Sequence, residues 1–329
     1  FDEIISLENL FLAWGEFKRG KKKRPDVQVF EFNLEDNLFQ LHSELKNKTY
    51  KHSPYIPFYV TDPKLRHIHK AMVRDRVLHQ AVFRVLYPIF DKNSIFDSYS
   101  CRIGKGTHRA VTRLETFCRK LSQNNSKTIF AIKCDIKKFF DSIDQDILFS
   151  LIQKKIKDDA VWLIGEIIRS FPKGLPLGNV TSQLFANIYL NELDQFIKHD
   201  LKEKYYIRYC DDFVILSENP DILRGLSERI DEFLGKSLKL SLHPNKIIIR
   251  KYIQGIDFLG YVVLPNHRVL RTRTKHRMLK RIKQENTTSY LGVLKHCYGF
   301  LLEEKVKKSV TSVNNVRDII QLWNTNIAR

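Results

Sequence analysis

The chain has 329 residues, 43% of them hydrophobic, so it can bury a large core divided among two or three domains or subdomains and is not intrinsically disordered. Its net charge of +19, from 56 Lys and Arg against 37 Asp and Glu, points to a polyanionic partner, either nucleic acid or an anionic membrane surface. No apolar run approaches the roughly 18 residues of a membrane span, the opening residues lack the basic and apolar regions of a signal peptide, and five scattered cysteines (Cys101, Cys118, Cys134, Cys210, Cys297) without a C-x-x-C pair fit neither a disulfide framework nor a zinc site. A reducing cytoplasm is the expected setting.

In chain order, Leu7, Leu10, Phe11, Trp14 and Phe17 recur at helical spacing behind a Ser6 cap, which predicts a helix over 6–18. Gly20 and Pro25 break it around Lys21, Lys22, Lys23 and Arg24, a basic run that reads equally as a solvated loop or a nucleic-acid contact. Leu34, Leu38, Leu41 and Leu45 place a second amphipathic helix after Asn33. Between 50 and 69, short strands flank a turn at Asp62-Pro63, with Lys64, Arg66 and His67 beyond it, and 74–90 is helical. The stretch "SYSCRIGKGTHRAV" (98–111) is a Gly-punctuated loop carrying Arg102 and Lys105 that runs into a helix; it lacks the spacing of a nucleotide P-loop.

Alternation of Phe130, Ile132 and Cys134 predicts a strand ending at Asp135. Asp144 caps a helix running to 158, and "GLPLGNVTSQ" (174–183) is a Gly/Pro loop opening a helix that buries Phe185, Tyr189, Leu193 and Phe196. "YIRYCDDFVILS" (206–217) is a hairpin with Asp211 and Asp212 at its tip, followed by a helix (221–237) and strands at 245–252 and 256–264. Residues 266–283 hold eight Lys or Arg and no acid, and the next helix puts Tyr290, Leu294, Cys297 and Leu301 on one face of a small basic helical domain. This order fits an α+β fold, a mostly antiparallel sheet backed by helices.

Two adjacent carboxylates at the tip of an apolar hairpin cost repulsion and desolvation unless a cation sits beside them. Asp is a favoured turn residue, but an exposed turn does not require bulky residues on both sides. Asp135 precedes Asp211 by 76 positions, so the two meet only if its strand lies beside the hairpin. Carboxylates projecting from one sheet edge would hold Mg²⁺, a hard cation that takes oxygen ligands. Two such ions about 3.5–4 Å apart activate an attacking hydroxyl and neutralise a leaving oxygen in phosphoryl transfer.

"YCDD" resembles the Tyr-x-Asp-Asp signature of reverse transcriptases, and it stands in the right order among other blocks similar to that family's. "IKCDIKKFFDSI" resembles the first palm block, "GLPLGNVTSQLFANIYLNELD" the block contacting template and incoming nucleotide, "LSLHPNK" the following palm block and "GIDFLGYVV" the primer-grip strands. "KLRHIH" and "RDRVLHQAV" resemble the fingers; together the blocks cover about 50–265. Where most members have Gln-Gly followed by Ser-Pro, this chain has Leu177-Gly178 followed by Ser182-Gln183, which is similar to the reverse transcriptases of diversity-generating retroelements.

The resemblance implies a right-hand polymerase fold: fingers with N-terminal helices (1–128), palm (129–265) and a basic helical thumb (266–329). It implies that Asp135, Asp211 and the Ile136 carbonyl ligate two Mg²⁺ ions, with Asp212 an outer ligand. Phe140, five residues after Asp135, matches the steric gate that excludes ribonucleotides, although "KKFF" also reads as core. Lys64 and Arg66 would hold the triphosphate, Leu177, Gly178 and Gln183 the nucleotide, and Lys246 would protonate pyrophosphate or else be a solvated lysine. Arg102, Lys105, Arg271, Arg273, Lys275 and Arg277 would grip template–primer through phosphates.

The expected activity is RNA-directed DNA synthesis. Its partners would be template RNA, the RNA/cDNA duplex, deoxynucleoside triphosphates and a small basic accessory protein, with no membrane. A ribonuclease H or endonuclease domain is not expected. Competing readings are a retron-, abortive-infection- or group II intron-type enzyme, a polymerase working without a template, and a maturase-like RNA-binding protein that does no chemistry. Intact Asp135, Asp211 and Asp212 argue against pure binding, which has no use for acids beside bound phosphates.

Overall fold

Ser6 caps the first long helix as its sequence predicts, its hydroxyl accepting from Asn9 N at 3.2 Å. α2 (Leu7–Phe17) follows a single turn, α1 (Asp2–Ile5). The computed structural model describes residues 1–61 and 65–308. Pro25, expected only to interrupt, starts α3 (Pro25–Phe32), because its fixed φ and missing N–H suit the first position of a helix. α4 (Leu34–Lys46) then buries Leu38, Leu41 and Leu45.

β1 (Ile56–Val60) and β2 (Arg66–Lys70) pair antiparallel with Val60 opposite Arg66; the expected turn at Asp62-Pro63, with Lys64, lies outside the described residues. α5 (Val73–Asp91) is a buried spine that packs on α2. After α6 (Thr107–Leu121), β3 (Phe130–Asp135) ends at Asp135 and leads into the one-turn α7 (Phe139–Ser142). The Asp144 carboxylate accepts from Asp146 N and Ile147 N, capping α8 (Gln145–Gln153), which stops short of 158. α9 (Ala160–Arg169) follows. α10 (Val180–Gln195) buries Phe185, Tyr189 and Leu193, but Phe196 falls in a following π turn and is only half-buried, stacked on Phe233 at 4.1 Å.

The hairpin strands are β4 (Tyr206–Tyr209) and β5 (Asp212–Ser217), followed by α11 (Pro220–Leu238) and β6 (Ile248–Lys251). The expected strand over 256–264 is instead a hairpin, β7 (Ile256–Phe258) and β8 (Tyr261–Val263). Leu259 and Gly260 both take positive φ, 52° and 88°, as a two-residue hairpin turn demands. β9 (Arg268–Leu270), α12 (Thr272–Arg281) and α13 (Gln284–Leu294) follow. Leu301 leaves the expected apolar face and is 73% exposed, because the helix ends at Leu294 and the chain turns before a new helix begins.

Among the described residues, the strands form three sheets: β1-β2, β4-β5-β3-β6 and β7-β8-β9. The described chain divides into two compact units, interleaved along the sequence. One comprises 1–105, 133–213 and 224–247, with Leu10, Leu41, Val77, Leu163 and Tyr189 in its core. The other comprises 106–132, 214–223 and the chain from 248, with a core that includes Val111, Leu114, Phe258 and Val263. No helix among the described residues is long and apolar enough to cross a membrane.

Candidate active site

The tip of the β4–β5 hairpin is the two-residue turn Cys210-Asp211. Cys210 takes φ 57°, a left-handed conformation that Asn or Gly usually fills in such turns and that costs a residue with a side chain about 1–3 kcal/mol. What lies beneath compensates. Arg208, 1% exposed, donates from Nε and Nη2 to the two oxygens of Asp194 at 2.7 and 2.6 Å, and from Nη1 to the Cys210 carbonyl at 3.2 Å. The Tyr206 hydroxyl donates to the same carboxylate at 2.7 Å. The strand is further fixed by Tyr99 N donating to Arg208 O and Arg208 N to Asp97 O. Arg208 and Asp194 were missed at sequence level, although a lone arginine inside "YIRY" is a signal: a charge on the buried side of a strand needs a partner.

Asp135 lies beside this turn, as a shared site requires. Ile136 N donates to Asp211 O at 3.2 Å, and the Asp135 carbonyl accepts from His243 N at 2.7 Å. Two of the three carboxylates have a lysine: Lys246 Nζ is 2.6 Å from Asp135 Oδ1, and Lys133 Nζ is 3.6 Å from Asp212 Oδ1. Asp211 has no basic partner among the described residues. Burial, reinforced by the like charges of Asp135 and then Asp212, pushes its carboxyl up to about 6. The folded chain therefore holds an uncompensated negative charge at this point.

Among the described residues, no group of three or more His, Cys, Asp or Glu side chains is set to hold a metal ion. The donor chemistry nevertheless fits a hard divalent cation: every candidate ligand is an oxygen, and the charge on Asp211 is raised in energy by two neighbouring carboxylates. Lys246 on Asp135 stands where such a cation would compete.

Phe140 is half-buried in α7 and lines a small cavity with Gln183, Asn187, Arg208 and Cys210, so three of the sequence blocks meet directly under the turn. The loop before α10 is pinned to the same place: Leu175 N donates to Phe140 O at 2.8 Å, and Gln145 Nε2 to the carbonyls of Phe171 and Gly174. Gly174 has φ 66°, and a Cβ there would lie 2.2 Å from Phe140 O, so no larger residue fits. Half-buried Leu177 accepts at its carbonyl from His69 N at 3.4 Å, while Gly178, exposed and at φ 114°, would bring a Cβ to 3.2 Å from Ile68. Arg66 is exposed at the start of β2, and Lys64 lies outside the described residues.

The basic residues divide. Arg102 is turned inward with its side chain 8% exposed, ion-paired to Asp91 at 2.6 Å and bonded to the Ile95 and Ser98 carbonyls. It closes the 95–102 loop rather than offering a phosphate contact, a correction that follows from an acid within reach on α5. Lys105 donates to Phe96 O at 2.9 Å and lies over the Phe96 ring. In the other unit, Arg271 pairs with Asp257, Arg273 and Lys275 are exposed on α12, and Arg277 is half-buried.

A family profile described as reverse transcriptase (RNA-dependent DNA polymerase) matches residues 51–263. Protein YkfC of Escherichia coli is 24% identical, the match covering 77% of each chain. The group II intron-encoded protein LtrA of Lactococcus lactis is 25% identical over 69% of this chain and 49% of its own. Nuclear intron maturase 3, mitochondrial, of Arabidopsis thaliana is 24% identical over 75% of this chain and 42% of its own. Among solved structures, apo telomerase from Candida tropicalis aligns with TM-score 0.53 at 13% identity, over 71% of this chain and 50% of that one. That likeness shows a right-hand polymerase fold. The chain spans about half the length of LtrA and of the telomerase.

Proposed function

Because the chain belongs to the reverse transcriptase (RNA-dependent DNA polymerase) family, we propose that it copies RNA into DNA by adding deoxynucleotides to a primer at the Asp135–Asp211–Asp212 site. The observation that carries the reading is Asp211, a half-buried carboxylate at a strained turn, without a basic partner among the described residues and facing two further acids. Magnesium ions held by Asp135, Asp211, Asp212 and the Ile136 carbonyl would supply charge neutralisation at the reacting phosphate. The protein's own groups position the reactants. Lys64 and Arg66 would hold the triphosphate, Leu177, Gly178 and Gln183 would border the nucleotide, and Lys246, released from Asp135, would protonate pyrophosphate. Residues 1–128, 129–265 and 266–329 would serve as fingers, palm and thumb, with Arg273, Lys275 and Arg277 on template–primer phosphates. Primer extension on a defined RNA with Mg²⁺ and deoxynucleotides tests the proposal; no RNA-dependent product, or equal product without template, would overturn it.

Two template classes are supported by different observations. Leu177 and Ser182-Gln183 favour a diversity-generating retroelement, aided by a small basic accessory protein, whereas the relatives LtrA and nuclear intron maturase 3 favour a group II intron type. Leu177 separates them. An apolar residue there cannot hydrogen-bond the incoming nucleotide, and each 1.4 kcal/mol of lost discrimination raises error about tenfold. In the first class, cDNA errors concentrate opposite template adenine, and Leu177→Gln lowers them by about tenfold. Sequencing cDNA from both proteins on one RNA decides, and uniformly low wild-type error excludes the diversity-generating reading.

Phe140→Ala tests the gate. The cavity it shares with Gln183 and Cys210 opens, and ribonucleotide incorporation relative to deoxyribonucleotide should rise at least about tenfold, or 1.4 kcal/mol of discrimination. Single-nucleotide incorporation of each sugar on one template measures it, and an unchanged ratio makes Phe140 a core residue only.

A further inference from the structure

Two histidines that the polymerase site does not use face each other at short range. His108, in the first turn of α6, and His296, in the turn that follows α13, stack with ring centroids 3.6 Å apart and planes 18° apart. Both residues are half-buried. The Tyr261 hydroxyl on β8 lies 3.3 Å from His108 Nδ1 and donates to Val293 O, in the last turn of α13, at 3.2 Å. With its own proton committed there, the hydroxyl accepts from His108, so Nδ1 carries the hydrogen. The stack and the tyrosine together fasten the end of α13 to α6 and β8. Beside them Cys297 is half-buried, its thiol donating to Leu294 O at 3.5 Å. Cys297 also lines a cavity of about 640 Å³ that Leu270, Lys275 and His276 border from β9 and α12.

The surroundings favour uncharged rings. Arg268 on β9 adds a positive charge, answered by Glu115 of α6 at 3.4 Å. The other titratable neighbours are Lys295 and Cys297 on either side of His296, with Lys275 and His276 across the cavity. His108 also stands at the end of α6 where the helix dipole opposes a cation. Burial, then the charges of His296 and Arg268, lowers His108 below its ordinary 6.5. The closed form therefore resists a proton that the opened form accepts. Closure is complete above pH 6.5 and weakens as the pH falls below it.

We propose that the His108–His296 stack is an acid-released latch: when both rings are protonated they repel, and the turn after α13 leaves α6 and uncovers Cys297. One protonated ring still stacks on a neutral one, so the second proton is the one that releases. The latch needs neither metal nor nucleic acid, and its test is independent of whether the protein makes DNA.

Thiol reactivity reads it out. The whole protein is treated briefly with 4,4′-dithiodipyridine at about pH 7.5 and about pH 5.5, on either side of the ordinary histidine value. Modification is mapped by mass spectrometry, with the exposed Cys101 as internal standard. Relative to Cys101, wild-type Cys297 should react up to about tenfold faster at the lower pH, the change that one linked proton gives per pH unit. H296F keeps a ring on His108 and removes the second charge, so its Cys297 should be equally slow at both. In isotope-labelled histidine NMR spectra, the His108 resonance should move at both titration steps of the pair, and its midpoint should rise toward 6.5 in H296F. Wild-type Cys297 that gains no reactivity overturns the latch, and an equal gain in H296F does so too by placing the opening elsewhere. Should H296F fail to fold, H296Q assigns the resonances and the wild-type titration decides: two independent single-step histidines overturn the proposal.

Discussion

Asp211→Asn is expected to cut primer extension by at least about three orders of magnitude, some 4 kcal/mol of transition-state stabilisation, while leaving the fold and RNA binding intact. The substitution keeps the shape of the side chain and removes one negative charge. In the free protein that charge is unfavourable, since burial and two neighbouring carboxylates oppose it. The variant's unfolding midpoint should therefore equal or exceed the wild-type value. Loss of activity together with gained stability is the signature of a group kept for chemistry. Asp212→Asn should act more mildly, because Asp212 already has Lys133 nearby. Extension by Asp211→Asn at near wild-type rate would remove the metal assignment.

Where a single residue type forces local geometry, the fold could be read from the sequence. Ser6 and Asp144 behave as caps, β3 ends at Asp135, and Asp211 sits in a hairpin turn, although the turn is Cys210-Asp211 and Asp212 already begins β5. Reading failed where one residue serves two purposes. Pro25 reads as a helix breaker yet starts α3, α2 having already ended at Phe17, and Leu259-Gly260 looks like strand interior until its turn geometry is known. Partnerships across long sequence separations were also invisible. Arg102 reads as a basic loop residue because nothing local shows that Asp91 waits for it, and Lys246 reads either as a proton donor to pyrophosphate or as a solvated lysine, because its partner Asp135 is 111 positions away. The candidate site was legible as a set of carboxylates. The lysines that balance two of them, and the buried scaffold below the turn, were not.

That scaffold gives the second large effect. Arg208→Met should lower stability by about 3–5 kcal/mol, the usual cost of leaving one member of a buried ion pair uncompensated. Arg208 and Asp194 are 1% and 0% exposed, so neither charge can turn to water. Removing both charges, as Arg208→Met with Asp194→Leu, should recover much of the loss. The residue is then the Tyr206 hydroxyl, deprived of the carboxylate it bonds at 2.7 Å, at about 1–3 kcal/mol. Arg208→Lys should rescue little, because an ammonium cannot span both Asp194 oxygens and the Cys210 carbonyl. Urea unfolding of the single and double variants measures the coupling, and simple additivity would mean that the pair contributes nothing as a unit. The same contact gives a kinetic expectation. Nη1 of Arg208 holds the Cys210 carbonyl at 3.2 Å, directly before Asp211. In the double variant, at a temperature where it stays folded, kcat should therefore fall while KM for deoxynucleotides, set by groups on other loops, changes little. An unchanged kcat in the fully folded double variant would show that Arg208 supports the fold without aiming the turn.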